Sequence, residues 1–284
     1  MTTKTWVFDW SVKKSIYAHH ALGDRFAVNR NMEQRQQLLR WFDTPLGRSL
    51  QAVEASYLRA TLDQLYGSTA IQLGRLGQLD MLEGTPAAKR WVLDSWAPTD
   101  RCDLLSRAHE IPLDGKSVDV ALLPHTLDFS EQPHQVLREV HRILRPEGHV
   151  VLLNFNPLSL WGLKRLVNRK REMPWQGNFF GLSRIKDWLA LLEFETTQGR
   201  MIYYRPPLQN EKMRDRMFFM EKAGDRWWPM GAAAYMVVAK KRVAGMTPIQ
   251  PEWSRKLRVG NGMAEPAAKV IYPSVPQWRL HRSK

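Results

Sequence analysis

The stretch from Val118 to Asn154 constrains the fold more than any other part of the chain. An apolar run, Val118 to Leu123, stops at Pro124-His125. Between Gln132 and Arg145, the residues Val136, Leu137, Val140, Ile143 and Leu144 recur at i, i+1, i+4, i+7 and i+8, which is the apolar face of an amphipathic helix. Arg145-Pro146-Glu147-Gly148 ends that helix, and a second apolar run, Val150 to Asn154, follows at once. Strand, helix, tight turn and strand form the βαβ unit of a parallel sheet, and strands this apolar belong to a sheet covered on both faces.

The same rhythm extends in both directions. Thr69 to Leu73 predicts a strand that runs into Gly74, and Arg90 to Leu93 predicts another that ends at Asp94. Upstream, Leu46, Leu50, Val53, Tyr57, Leu58, Leu62 and Leu65 recur at spacings of three and four, a core-facing helix that Gly67 stops. Met32 to Phe42 predicts a shorter helix, ended by Thr44-Pro45 because the residue before proline is pushed out of the helical region. Residues 183–193 predict a helix, and 194–205 and 232–241 two late strands suited to close the sheet as an antiparallel pair. Residues 1–31 show no useful period and predict a poorly ordered leader. Beyond Gly245 the period is lost and Pro, Gly and basic residues increase, so 246–284 reads as an extended or disordered tail. One domain then spans 32–245, with N-terminal helices at 32–66, a core at 67–156, and a lid with closing strands at 157–245.

Composition bounds the class. The 284 residues suffice for a sizeable core, and 44% apolar with 25% charged residues is ordinary globular usage, which excludes wholesale disorder. No apolar run approaches the roughly 18–20 residues needed to cross a bilayer, and the first residues lack the apolar segment of a secretory signal. The one cysteine, Cys102, excludes an intrachain disulfide framework. These features predict a soluble, cytoplasmic protein. Its balance is basic, with 42 Lys and Arg against 28 Asp and Glu, a net +14. The surplus is concentrated in residues 161–222, with thirteen basic against seven acidic, and in the tail from Glu252, with seven against two. That pattern suits either a solvated tail and a basic helical face, or contact with nucleic acid.

In an open parallel sheet, ligands bind beyond the carboxyl ends of the strands, where strand order reverses. After the first strand come Gly74 and Gly77, either a ligand loop or an ordinary turn. Asp94 lies twenty positions beyond Gly74, where a carboxylate can accept both hydroxyls of a ribose, or cap a helix instead. His125 follows the strand at 118–123; an imidazole there can take a proton near neutral pH, or shape a pocket. His19, His20, His134, His141 and His149 lack the spacing of a metal site, and none is expected.

Four consecutive segments strengthen this reading: Ser106 to Leu113, Asp114 to Val120, Leu122 to Asp128, and Pro133 to Gly148 with its Leu-Arg-Glu-Val-His-Arg-Ile-Leu-Arg-Pro-Glu-Gly run. In order and spacing they closely resemble the class I S-adenosylmethionine-dependent methyltransferases, in particular the type 11 group. The match is continuous from about Arg107 to Asn156, and looser back to Ile71 and on to Tyr235. Asn154 to Lys164 resembles one bacterial branch of the group, of unidentified substrate. The resemblance implies a Rossmann-like α/β fold: a seven-stranded, mostly parallel sheet with helices on both faces. It also implies S-adenosylmethionine as cofactor. By position, Gln72, Gly74 and Gly77 then belong to the cofactor loop, Asp94 holds the ribose, and Ala108 and His109 line the adenine pocket. Leu123 borders the methionine portion, with His125 beside the reacting centre as the candidate catalytic base.

Three positions depart from the family pattern. Gln72 replaces an acid before the first loop glycine, Leu76 replaces a glycine, and Arg107 stands where an acid often accepts from adenine. Each change is expected to weaken cofactor binding by about 1–2 kcal/mol. The helix after the first strand is expected to be short, interrupted by Gly84-Thr85-Pro86. Trp175, Phe179, Phe180 and the Trp227-Trp228 pair read as lid or core residues, against stacking on bases. The expected function is methyl transfer to an unidentified acceptor. The alternative is a degenerate relative that holds RNA or another anionic partner through its basic regions.

Overall fold

The computed structural model describes residues 23–95, 102–168 and 172–242. The chain divides into two units, Met1–Ala244 and Gly245–Lys284. The second, with the predicted tail, lies outside the described residues, as do the first 22 residues of the predicted leader. The rest of that leader is corrected: helix α1 runs Gly23–Phe42, starting well before Met32. The five polar residues Glu33 to Gln37 break any apolar stripe that could link Phe26 and Val28 to the end of the helix; among its described side chains, Leu38, Trp41 and Phe42 are buried.

The sequence's strand signals resolve into one seven-stranded sheet. The strands are β1 (Thr69–Leu73), β2 (Lys89–Asp94), β3 (Leu104–Leu105), β4 (Val118–Pro124), β5 (Leu144–Phe155), β6 (Phe194–Ile202) and β7 (Ala234–Lys241). They lie in the order β3-β2-β1-β4-β5-β7-β6. β1 to β5 pair in parallel, and β7 runs antiparallel between β5 and β6. The two-residue β3 is too short to leave a period in the sequence.

Alternation along each strand sends side chains to two separate cores. Ala70, Leu122 and Leu153 pack with α1 and α2 (Pro45–Leu62). Ile71, Leu73, Ala121 and Leu152 face α3 (Pro133–Ile143) and α5 (Leu182–Leu191). The sheet is therefore covered on both sides, which is why its central strands read as unbroken apolar runs. Three shorter helices, α4 (Leu160–Val167), α6 (Glu211–Arg216) and α7 (Phe219–Trp227), flank the β6–β7 end.

Two connections matter for the site. Arg145–Gly148 is absorbed into β5 as an irregularity: Val118 pairs with Leu144, and Val120 already pairs with His149. There Arg145 Nη1 donates to both oxygens of Asp119, at 2.9 and 2.8 Å. The backbone amides of Ser68 and Thr69, at the start of β1, donate to the same carboxylate at 2.9 Å each. This clamp fixes the amino edge of the sheet. The second connection, from β1 to β2, is the correction to the expected short helix: residues 74–88 form turns and no helix. Gly74, Gly77 and Gly84 all take positive φ, and each interrupts a helix before a second turn can form.

Candidate functional site

The strand order reverses between β1 and β4, so the crevice of interest lies at their carboxyl ends. Gly74 turns the chain there with φ +84°, a conformation open to glycine, and its amide donates to Leu93 O at 2.7 Å across the end of β2. Gln72 Nε2 donates to Gly74 O at 2.9 Å, so this carboxamide braces the bend. Thr126 Oγ1 donates to Leu73 O and ties the end of β4 to that of β1. Leu76 is fully buried with the α1–α2 core. Gly77 lies against Gln51 of α2, where a Cβ would collide with the carboxamide, and Gln51 Nε2 donates to Leu76 O.

Asp94 ends β2 beside this bend and is nearly buried, at 4% exposure. Arg35 of α1 holds it, with Nε 3.1 and 3.2 Å from the two oxygens and Nη2 2.6 Å from Oδ2. The amide of Arg75 donates to the same Oδ2 at 2.8 Å. Arg35 Nη2 also donates to Arg75 O, so the guanidinium spans the acid and the loop. The turn after β3 joins the same edge through Ser106 N, which donates to Asp94 O at 2.9 Å. Ala108 and His109 are half-buried in that turn, and Arg107 is exposed. Of the predicted site residues, then, Gln72, Gly74 and Asp94 converge on one edge. Gly77 turns toward α2, and Leu123 is fully buried in the core on the α3 side. Leu123 therefore offers no surface to a ligand, which corrects its expected place beside the methionine portion.

His125 is corrected as well. Its φ of +52° turns the ring inward, and no part of it reaches solvent. Nδ1 lies 3.0 Å from Asp128 Oδ2, and Nε2 lies 2.8 Å from Glu54 Oε1, on α2. Burial alone pushes the imidazole down, but Glu54 and Asp128 outweigh it and raise the pKa to about 9. A protonated ring with both nitrogens held by carboxylates cannot serve as a general base at neutral pH. Burial pushes the Asp128 carboxyl up, against bonds from His125, Asn154 Nδ2 and the Phe155 amide. Two carboxylates thus surround one imidazolium, which stacks on Phe155 at 4.0 Å between ring centres.

Sequence reasoning missed Arg35, Glu54 and Asp128. Glu54 left a readable signal: it sits in the middle of the Leu46, Leu50, Leu58, Leu62 stripe at steps of four, a charge where the helix should bury a leucine. Asp128 follows His125 by three residues. Arg35 left none, since its partner is 59 positions away. Cys102 is half-buried and burial pushes its thiol up, consistent with a small packing residue. Trp175 and Phe179 are buried in the core, whereas Trp227 and Trp228 are exposed.

A cavity of about 350 Å³ opens where the β1–β2 connection lacks its helix. Its lining includes Gln72, Arg75, Arg90, Val92 and Asp103, but neither Asp94 nor His125. No helix among the described residues is long and apolar enough to cross a membrane.

Comparison with known proteins adds four findings. A family model described as a methyltransferase domain matches residues 87–152. The chain is 31% identical over 167 residues to the uncharacterized protein YafS of Escherichia coli (strain K12), covering 58% of this chain and 69% of that one. A possible histamine N-methyltransferase of Thermotoga maritima superposes with a TM-score of 0.49 at 15% identity, over 75% of this chain and 97% of that chain. Geranyl diphosphate C-methyltransferase of Streptomyces coelicolor A3(2) gives 0.45 at 14% identity, over 69% and 80%.

Proposed function

The chain belongs to the type 11 group of the class I S-adenosylmethionine-dependent methyltransferases, and on that premise we propose that it transfers a methyl group from this cofactor to an acceptor yet to be identified. One observation carries the reading: a 3-2-1-4-5-7-6 sheet whose reversal point sets a glycine bend beside an acid at the end of β2. That is the place where a nucleotide fold grips a ribose through a carboxylate. Methyl transfer from a sulfonium is a displacement whose barrier falls mainly by holding acceptor and methyl in line, so the reading needs no dedicated base. It therefore survives the burial of His125.

The cofactor does not fit the arrangement described. Both oxygens of Asp94 are bonded within the chain, and Arg35 covers the bend where a ribose would lie. That cover favours a second reading, in which cofactor affinity has been lost and the fold serves as a binding module. Titration calorimetry with S-adenosylmethionine and with its demethylated product, S-adenosylhomocysteine, separates the two. The enzyme reading expects saturable heat that Asp94→Ala abolishes; no heat at high micromolar ligand supports the module. Mass spectrometry of ligand carried through purification checks the same point without added cofactor.

A further inference from the structure

We infer that α1 is an internal cap on the cofactor site: Arg35 occupies the ribose acid, and an adenosyl ligand binds only after that guanidinium has left. The inference rests on the reading just proposed and names the residue that controls access to the site. Its first support is that two partners require the same atoms. A ribose diol needs both oxygens of Asp94, and Arg35 already bonds both. The pair is largely withdrawn from water, with 13% of the Arg35 side chain and 3% of the Asp94 side chain exposed. Charge-assisted bonds of this kind are stronger than neutral ones, so a ligand must displace a firm contact.

The second support is the surface of the bend. A Cβ built on Gly74 would lie 3.1 Å from Arg35 Nη2 and 3.5 Å from Thr126 Oγ1. The guanidinium therefore rests on the glycine itself, where a nucleotide fold lets its ligand approach the backbone. Acid and bend are closed by one side chain.

The third support is how the cap is hinged. Arg35, Leu38 and Phe42 stand at i, i+3 and i+7, on one face of α1. Leu38 and Phe42 are buried in the α2-side core, and Trp41 packs edge-on to Trp161 at 5.9 Å. The end of α1 is thus anchored, and Arg35 sits one turn before the anchor, where the helix leaves the core. Opening is not prohibitive on either side. Asp94 keeps the Arg75 amide, and Arg35 needs to move only outward into water. Apparent affinity is then the intrinsic affinity reduced by the fraction of molecules in the open form.

The test is calorimetry of S-adenosylhomocysteine with the full-length wild type, Arg35→Ala and Arg35→Lys, each checked for folding by thermal melting. Arg35→Ala is expected to bind at least tenfold more tightly than wild type. Arg35→Lys, which keeps the charge but loses the fork, is expected to fall between them. Equal or weaker binding by Arg35→Ala, with the wild type binding, overturns the cap and leaves the proposed function intact. Absence of binding by all three overturns both. Hydrogen exchange on the wild type needs no variant. The amides of residues 33–37, around Arg35 and ahead of the anchored end, should exchange faster when S-adenosylhomocysteine is added, and unchanged or slower exchange there contradicts a cap that leaves.

Discussion

The two edges of the sheet each hold an aspartate gripped by an arginine and by backbone amides, and they differ in where the arginine comes from. At the amino edge, Asp119 of β4 meets Arg145, 26 positions on, within the segment that carries the family resemblance. At the carboxyl edge, Asp94 meets Arg35, from a helix that precedes the sheet. The first pair joins β1, β4 and β5 and has nothing to admit. The second closes the place where the fold keeps a ligand. The same bond is thus a rivet where strands begin and a gate where they end, and only the position relative to the strands distinguishes the two.

Substitutions sharpen that contrast. The largest effect is expected from His125→Ala, which leaves Glu54 and Asp128 as facing, buried carboxylates and costs about 3–5 kcal/mol of unfolding free energy in urea titrations. A loss below about 1 kcal/mol breaks the assignment of that cluster to structure. The same cluster predicts a pH dependence on the order of 3 kcal/mol. The folded imidazole pKa, about 9, lies above its unfolded value near 6.5. Its stabilisation is complete below about pH 6.5 and is lost as pH rises through about 9, so a urea midpoint that is flat or rising across that window contradicts the protonated ring.

At the amino edge, Asp119→Ala is expected to cost about 2 kcal/mol, because the Ser68 and Thr69 amides lose an acceptor, while affinity for S-adenosylhomocysteine stays unchanged. Burial pushes the Asp119 carboxyl up, but Arg145 and the amides outweigh it and hold it below the usual carboxylate range. Its contribution is therefore present at neutral pH and disappears as pH falls through that lowered value. The smallest effect belongs to the gate acid. Asp94→Ala is expected to lower cofactor affinity at least tenfold, about 1.4 kcal/mol, an effect on binding that Asp119→Ala lacks. An affinity left unchanged by Asp94→Ala erases the distinction between rivet and gate.

The sequence made the sheet legible because buried parallel strands and the α3 face leave strong periods. It left the start of α1 hidden, since the polar run Glu33 to Gln37 interrupts any apolar period ahead of Leu38. The broken β1–β2 connection was announced by Gly84 and Pro86, although the complete absence of a helix depended on Gly74 and Gly77 as well. The site was legible where the backbone positions a residue: Asp94 sits at the end of β2 because the strand ends there. It was illegible where a side chain chooses its direction. Nothing in the neighbours of His125 says that its ring turns inward, although the acid in the leucine stripe of α2 marked a buried partner waiting for it. The Arg35–Asp94 pair joins residues that only the folded chain brings together.

A crystal structure of the full chain with S-adenosylhomocysteine tests the central claim most directly. The account predicts the ribose hydroxyls within hydrogen-bonding distance of the Asp94 carboxylate, with Arg35 Nη2 withdrawn from its present 2.6 Å contact. A complex in which that contact persists and the ligand lies elsewhere, for instance in the cavity beside Arg90, contradicts it.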